Sequence, residues 1–227
     1  MSSVPEKKRA DIKVVIIGDA FVGKTTFIRR YMERTFSDNV GTVGACFFLK
    51  QWGNYNIAIW DTAGEERFSG LSSFYCRDAS AAIVAFDLSN QRSFELLSER
   101  YLPLLDAAKE DCLLCVTGMK LDLLSEESRP IPRQEAESFA LHLNRGRFKE
   151  GEDAGSDAIQ KPYFETSSLT GQNVDQVFDF IFSTVLPAGR DLSSSHQQGT
   201  RPSHGIVEVD SNNLREISGP KAKNCCK

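Results

Sequence analysis

The sequence predicts an α/β fold: a six-stranded, mostly parallel sheet with one antiparallel edge strand and helices on both faces. Three observations carry this expectation. Short apolar, β-branched runs alternate with longer stretches of helical period, the pattern of β-α units. Gly53 and Asn54, a two-residue hairpin signal, join two of the runs. A glycine-rich turn, IGDAFVGKTT, sits directly behind the run IKVVII. With 227 residues the chain has length for one domain with a full core plus a tail. A formal net charge of −4 offers no broad basic field to neutralise a nucleic-acid backbone, which argues against a DNA or RNA partner.

Taken in order, the strands fall at roughly 11–17, 44–52, 55–61, 80–87, 112–118 and 162–166, with helices between them. The Gly53-Asn54 turn makes the second and third strands antiparallel. Pro103, inside SFELLSERYLPLLDAAK, should end or bend the helix that begins near Ser93. In the last helix Val174, Val177, Phe178, Ile181, Phe182 and Val185 recur at three- and four-residue steps and form one buried stripe. Residues 1–10 read as a flexible amino terminus and 11–187 as the folded domain. Within it, 144–161 (NRGRFKEGEDAGSDAIQK) is charged, glycine-rich and aperiodic, a mobile insertion; 188–227 reads as a disordered tail.

The start, MSSVPEKKRAD, lacks an apolar leader core, and no window reaches the roughly 18 apolar residues of a membrane span, so a cytosolic chain is expected. Cys46, Cys76, Cys112 and Cys115 lie in apolar or mixed segments and read as buried thiols. The C-x-x-C of Cys112 and Cys115 falls in a strand-like run without a second pair or a nearby histidine. His142, His196 and His204 stand alone.

The turn places Gly18, Gly23, Lys24 and Thr25 in the pattern G-x-x-x-x-G-K-T. A glycine-rich turn between a buried strand and a helix start points several backbone N–H groups inward, and the helix dipole adds positive charge there. Phosphate is the natural guest; a merely structural glycine turn is the bland alternative. Lys24 would reach the outer phosphates and the Thr25 hydroxyl a magnesium ion, with Asp19, Ala20, Val22 and Thr26 completing the loop. The loop alone does not choose between ATP and GTP. Downstream, IWDTAGEERF sets Asp61 to hold magnesium through water and Gly64 to bring its N–H against a terminal phosphate. MKLD then follows the strand CLLCVTG.

Together, Gly18 to Thr25, Thr42, DTAG, K-x-D and the later ETSS resemble, in order and spacing, the five nucleotide motifs of a Ras-type small GTPase. The resemblance implies the P-loop GTPase fold, GTP or GDP as ligand and magnesium as cofactor held by Thr25, Thr42 and Asp61. Lys120, Asp122, Ser167, Ser168 and Leu169 would surround the base. The Asp122 carboxylate accepts from the N1–H and N2 amine of guanine, where adenine presents an acceptor and a C–H; such polar pairing rejects the analogue by about 10⁴ to 10⁵. Lys24, Thr42 and Glu65 would take part in hydrolysis, and Thr42 would meet magnesium and the third phosphate only with GTP bound.

The chain departs from the family pattern. Met119 stands where the family has asparagine, and Leu169 where it has lysine; a lost hydrogen bond at the first is worth about 1 kcal/mol, so weaker affinity and faster exchange are expected. Glu65 stands where the family has the glutamine that orients the attacking water. A carboxylate only accepts, and at about 5 Å from the terminal phosphate its charge costs on the order of 3 kcal/mol before screening. Slow hydrolysis is the expectation, although a carboxylate could also draw a proton from water. Ala20 crowds the place of an arginine brought by an activating protein.

Within the Ras-like group, ERFSGLSSFYCRDA and the aromatic set Phe47, Trp60 and Tyr75 resemble the Rab branch, and YMERTF, TVGACFFLKQW and YNIAIWDTAG the Rab branch numbered twenty. The resemblance implies effector binding through the three rings and through roughly 38–47 and 63–77; ordinary core is their bland reading. It also implies two geranylgeranyl groups on Cys225 and Cys226 in the ending NCCK, since two lipids anchor durably where one does not. The basic residues near that end, Lys221 and Lys223 among them, are too diluted by Glu208, Asp210 and Glu216 to hold a membrane alone. Expected partners are an exchange factor, an activating protein, a prenyl-chaperone and effectors, on a monomer shared between cytosol and the cytoplasmic face of endosomal, phagosomal or Golgi-type membranes. Two further readings stay open: a GTP-binding scaffold with negligible hydrolysis, and an ATP-using P-loop kinase, for which no lid or second substrate site is visible.

Overall fold

Strand β1 (Ile12–Gly18, IKVVIIG) is apolar on both faces apart from Lys13 near its start, which suits a strand in the middle of a parallel sheet. The computed structural model describes residues 10–37, 41–42, 44–64, 69–125, 128–145, 161–187 and 204–207, by backbone alone at 69–72 and 204–207. β1 lies between β3 (Tyr55–Thr62) and β4 (Ala81–Asp87), parallel to both. β5 (Leu113–Met119) and β6 (Tyr163–Glu165) extend the parallel set. β2 (Ala45–Trp52) pairs antiparallel with β3 through the tight turn between Trp52 and Tyr55, as expected. The six strands stand within two residues of their expected bounds.

A seventh strand was not expected. β7 (His204–Val207), from the segment read as a tail, adds antiparallel to the outer edge of β2 over Ala45–Phe48, giving the order β6-β5-β4-β1-β3-β2-β7. An edge strand offers a row of unpaired N–H and C=O groups, and Ile206 and Val207 have the propensity to use them. The rest of 188–227, with Cys225 and Cys226, lies outside the described residues, as do residues 1–9.

Alternation along the strands divides the core. Val14, Ile16, Ile57, Ile59, Ile83 and Cys115 face α1 (Lys24–Glu33) and α5 (Val174–Val185). Val15, Ile17, Ala82, Val84, Phe86, Leu114 and Val116 form the other face, with Cys76 of α2 (Ser69–Cys76), Leu96 of α3 (Gln91–Leu96) and Ala136 and Ala140 of α4 (Arg133–Leu143). The α5 stripe is core as expected: Phe178 is fully buried, its ring 5.3 Å from Phe27 and 3.8 Å from Tyr31. The four cysteines of the domain are free, buried thiols, and Cys112 and Cys115 pack into opposite faces of the sheet, so they do not converge on one ion. No described helix is long and apolar enough to cross a membrane.

After α3 the helix changes pitch. Leu97–Tyr101 forms one π turn, closed by the Leu102 N–H to Leu97 O bond, and Leu102–Ala107 continues as a 3₁₀ helix with Pro103 in its first turn, where a missing N–H costs nothing. The bend expected at Pro103 therefore starts six residues earlier. Asn144, expected to open the mobile insertion, is instead buried. Its side chain accepts from Leu114 N–H at 3.0 Å and donates to Leu114 O and Ala140 O, both at 2.8 Å, tying α4 to β5. Residues 146–160 lie outside the described residues.

Because Phe178 sits between α1 and the sheet with no exposed surface, Phe178→Ala is expected to destabilise the fold by about 3–5 kcal/mol, read from chemical denaturation.

Candidate functional site

β1 can pass into its glycine turn only because residue 18 lacks a side chain: at φ +146 a Cβ would lie 2.1 Å from the Ala85 carbonyl oxygen. The turn ends at Gly23, and Lys24 begins α1. The Lys24 ammonium folds back over the turn, donating to Gly18 O at 2.8 Å and Asp19 O at 2.7 Å. Burial lowers its pKa to about 8, while Asp61 and Asp19 pull it upward.

Beside it Thr25 Oγ1 donates to Asp61 Oδ2 at 2.6 Å and lies 2.6 Å from Thr42 Oγ1. The Asp61 carboxyl is fully buried and its Oδ1 has no hydrogen-bond partner among the described residues. Burial raises it to about 6, opposed by the Thr25 hydrogen bond and the charge of Lys24. Two threonine hydroxyls and a buried carboxylate with a spare oxygen make a set of hard donors, and that chemistry fits magnesium.

At the other end, Lys120 follows β5 in the left-handed region, φ +61, and its ammonium reaches Asp87 Oδ2 at 2.7 Å. Ser167 Oγ donates to the Asp122 carboxylate through a short hydrogen bond and accepts from Thr170 N–H at 3.1 Å. This fixes one oxygen of Asp122 and leaves the carboxylate exposed. One cavity of about 450 Å³ joins the two ends: Gly23, Lys24, Thr25, Thr26, Ala20, Thr42 and Gly64 line one side and Lys120, Asp122, Ser168 and Leu169 the other.

Five expected residues stand behind this wall. Asp61 and Ser167 hold the threonine and aspartate in front of them, Gly18 and Asp19 hold Lys24, and Val22 is core. Glu65 lies outside the described residues. Phe21 and Phe36 also line the cavity and were missed; both rings are largely exposed, at 72% and 46%. Their signal was available, since neither belongs to a buried stripe and Phe36 stands just past the α1 C-cap.

Met119, in the family's asparagine position, is buried core, and its sulfur accepts from Thr166 Oγ1 at 3.6 Å. The loops it should tie stay joined by backbone: Thr166 N–H to Gly118 O at 2.8 Å and Leu121 N–H to Thr166 O at 2.9 Å. The three rings meet: Phe47 and Trp60 centroids are 5.3 Å apart, Trp60 and Tyr75 5.6 Å, with Phe47 and Trp60 half-buried and Tyr75 buried.

Compared with known proteins, residues 13–187 match the Ras family. The chain belongs to the Ras family. It is 39% identical over 221 residues to human "Ras-related protein Rab-20", covering 88% of this chain and 92% of the relative, and 40% identical over 201 residues to the mouse protein of that name, covering 79% and 86%. Human "Ras-related protein Rab-21" is 29% identical over 223 residues, covering 94% of this chain and 90% of that one. The Ras-like fold expected from the motifs is therefore present in a Rab-type chain, and members of this family are guanine-nucleotide switches and GTPases.

The Lys24 pKa has a measurable consequence. A folded value near 8 against an ordinary 10.5 means that between those values the folded chain has shed a proton which the unfolded chain keeps, so this group's contribution to stability rises with pH across that window. An anion at the turn favours the ammonium, so GDP binding at pH 8.5 is expected to be accompanied by net proton uptake. Calorimetry in buffers of different ionisation enthalpy reads that uptake, and a value of zero contradicts it.

Proposed function

We propose that the cavity binds GTP and GDP with magnesium, and that the chain is a nucleotide-controlled membrane switch recruiting effectors in vesicle or endosomal traffic, with slow GTP hydrolysis. One observation carries the reading: the Lys24 turn and the exposed Asp122 carboxylate, fixed by Ser167, occupy two ends of one cavity. The turn's N–H groups and Lys24 bind phosphates, and Asp122 pairs with the guanine edge while Lys120, Ser168 and Leu169 flank the base. Phe36 offers an exposed ring for stacking.

Thr25 and Thr42 would hold magnesium directly and Asp61 through water; a bound magnesium neutralises charge on the outer phosphates. Thr42 and Gly64 supply the switch, because contacts to a third phosphate are the ones lost on hydrolysis. Glu65 replaces a donor with a charge, so unaided turnover is slow, at or below the order of 10⁻⁴ s⁻¹, and an activating protein must supply what it lacks. Phe47, Trp60 and Tyr75 form the effector patch, and lipids on Cys225 and Cys226 supply the anchor.

The second reading is a GTP-binding scaffold with negligible hydrolysis, favoured by Glu65 and by the apolar Met119. Single-turnover hydrolysis with and without an activating protein separates the two. Hydrolysis above buffer in either arm supports the switch; rates equal to buffer in both leave the scaffold. Base choice has its own measurement: Asp122→Ala is expected to weaken GDP binding by about 10²-fold or more, and to reduce the preference for GDP over inosine diphosphate, which lacks the N2 amine.

A further inference from the structure

Tyr101 ends the π turn after α3, far in sequence from both groups its hydroxyl meets. Oη lies 3.0 Å from Asp19 Oδ1 in the phosphate turn and 2.9 Å from the Gly64 carbonyl oxygen. The ring is buried in the core under the sheet's second face. Burial and then the neighbouring Asp19 push the phenol above its ordinary value, with an Arg100 hydrogen bond acting the other way, so through the neutral range the hydroxyl remains a donor.

The two acceptors differ in kind. Asp19 Oδ1 is held by the Ala20 N–H at 2.8 Å and belongs to a turn anchored by Lys24. Gly64 closes the DTAG segment, packed so tightly on the turn that a Cβ would lie 2.4 Å from Ala20 N. A phenol has one proton for two acceptors. If Gly64 withdraws, the proton goes wholly to Asp19 and no buried donor is left unpaired; when Gly64 docks, the hydroxyl bridges both. That is a contact with a small bias between two positions of a segment, without a large penalty in either.

Tyr101 is the last residue of the π turn, four residues after the buried Leu97, and the two belong to the same buried cluster. Such turns gather at functional sites.

We propose that Tyr101 is a positioning residue that latches the Gly64 segment onto the phosphate turn and so biases the chain toward its triphosphate-bound shape. This rests on the guanine-nucleotide reading above. The docked Gly64 coexists with the 2.6 Å approach of Thr42 to Thr25, so both groups that a third phosphate draws inward are in place together. A diphosphate has no contact to make with Gly64 and gains nothing from the latch.

The test is Tyr101→Phe in the full chain, which keeps the ring and removes the hydroxyl. Competition titration with a fluorescent GDP gives affinities for GDP and for a non-hydrolysable GTP analogue. The expected result is a fall of about 3- to 10-fold in the triphosphate-to-diphosphate affinity ratio, with GDP affinity held within about twofold. Hydrogen exchange across residues 62–76 should also rise in the triphosphate complex alone. An unchanged ratio overturns the proposal, and so does equal weakening of both nucleotides, which would mark Tyr101 as general support for the turn. If the unsubstituted chain binds neither nucleotide, the guanine-nucleotide reading falls first and the latch with it.

Discussion

Two opposite charges are buried where β1 and β3 end, and much of the architecture follows from having to hold them there. Neither Lys24 nor Asp61 is satisfied by bulk water. The ammonium is held by turn carbonyls and the carboxylate by Thr25, and burial moves one to about 8 and the other to about 6. Buried charges with partial compensation cost stability in the absence of a ligand. On the proposed reading, a phosphate-bearing anion and a divalent cation would supply what each lacks and stabilise the folded chain on binding.

The parallel sheet converts that local need into a site. Parallel strands share one carboxyl-terminal edge, and the connections leaving it lie side by side. The register that sets Ile16 beside Asp61 brings the β3 carboxylate to the β1 turn. β4 ends at Asp87, which takes the Lys120 ammonium leaving β5, while Ser167, just past β6, fixes Asp122. The Lys24 end and the Asp122 end of the cavity are thus joined through five neighbouring strand ends. Met119 shows how much of the connection is backbone: an apolar side chain fills the family's asparagine position, yet two N–H to carbonyl bonds still hold the loops together.

The antiparallel side of the sheet is built differently. β2 carries Phe47 into contact with Trp60 of β3, and through it with Tyr75 of α2. The outer edge of the same β2 residues is paired with β7, Phe47 opposite Gly205. One strand thus presents an aromatic face and a hydrogen-bonded edge within a few residues of Thr42.

Period and local chemistry determined, from sequence alone, the six strands, the α5 stripe, the hairpin and the phosphate turn. Each of those depends on neighbours within a few residues: alternation, three- and four-residue steps, a glycine where no side chain fits. That Asp122 and Lys24 serve one site was legible only by resemblance to a family, since no local rule brings them to one cavity. Tertiary structure alone decided that Asn144 is a buried tie, that β7 completes the sheet, and that Tyr101 reaches Asp19 and Gly64. Those outcomes depend on side-chain packing between distant elements, on the register between distant strands and on which edge is left unpaired. Such quantities are set by packing the whole chain and leave no periodic trace in any one segment.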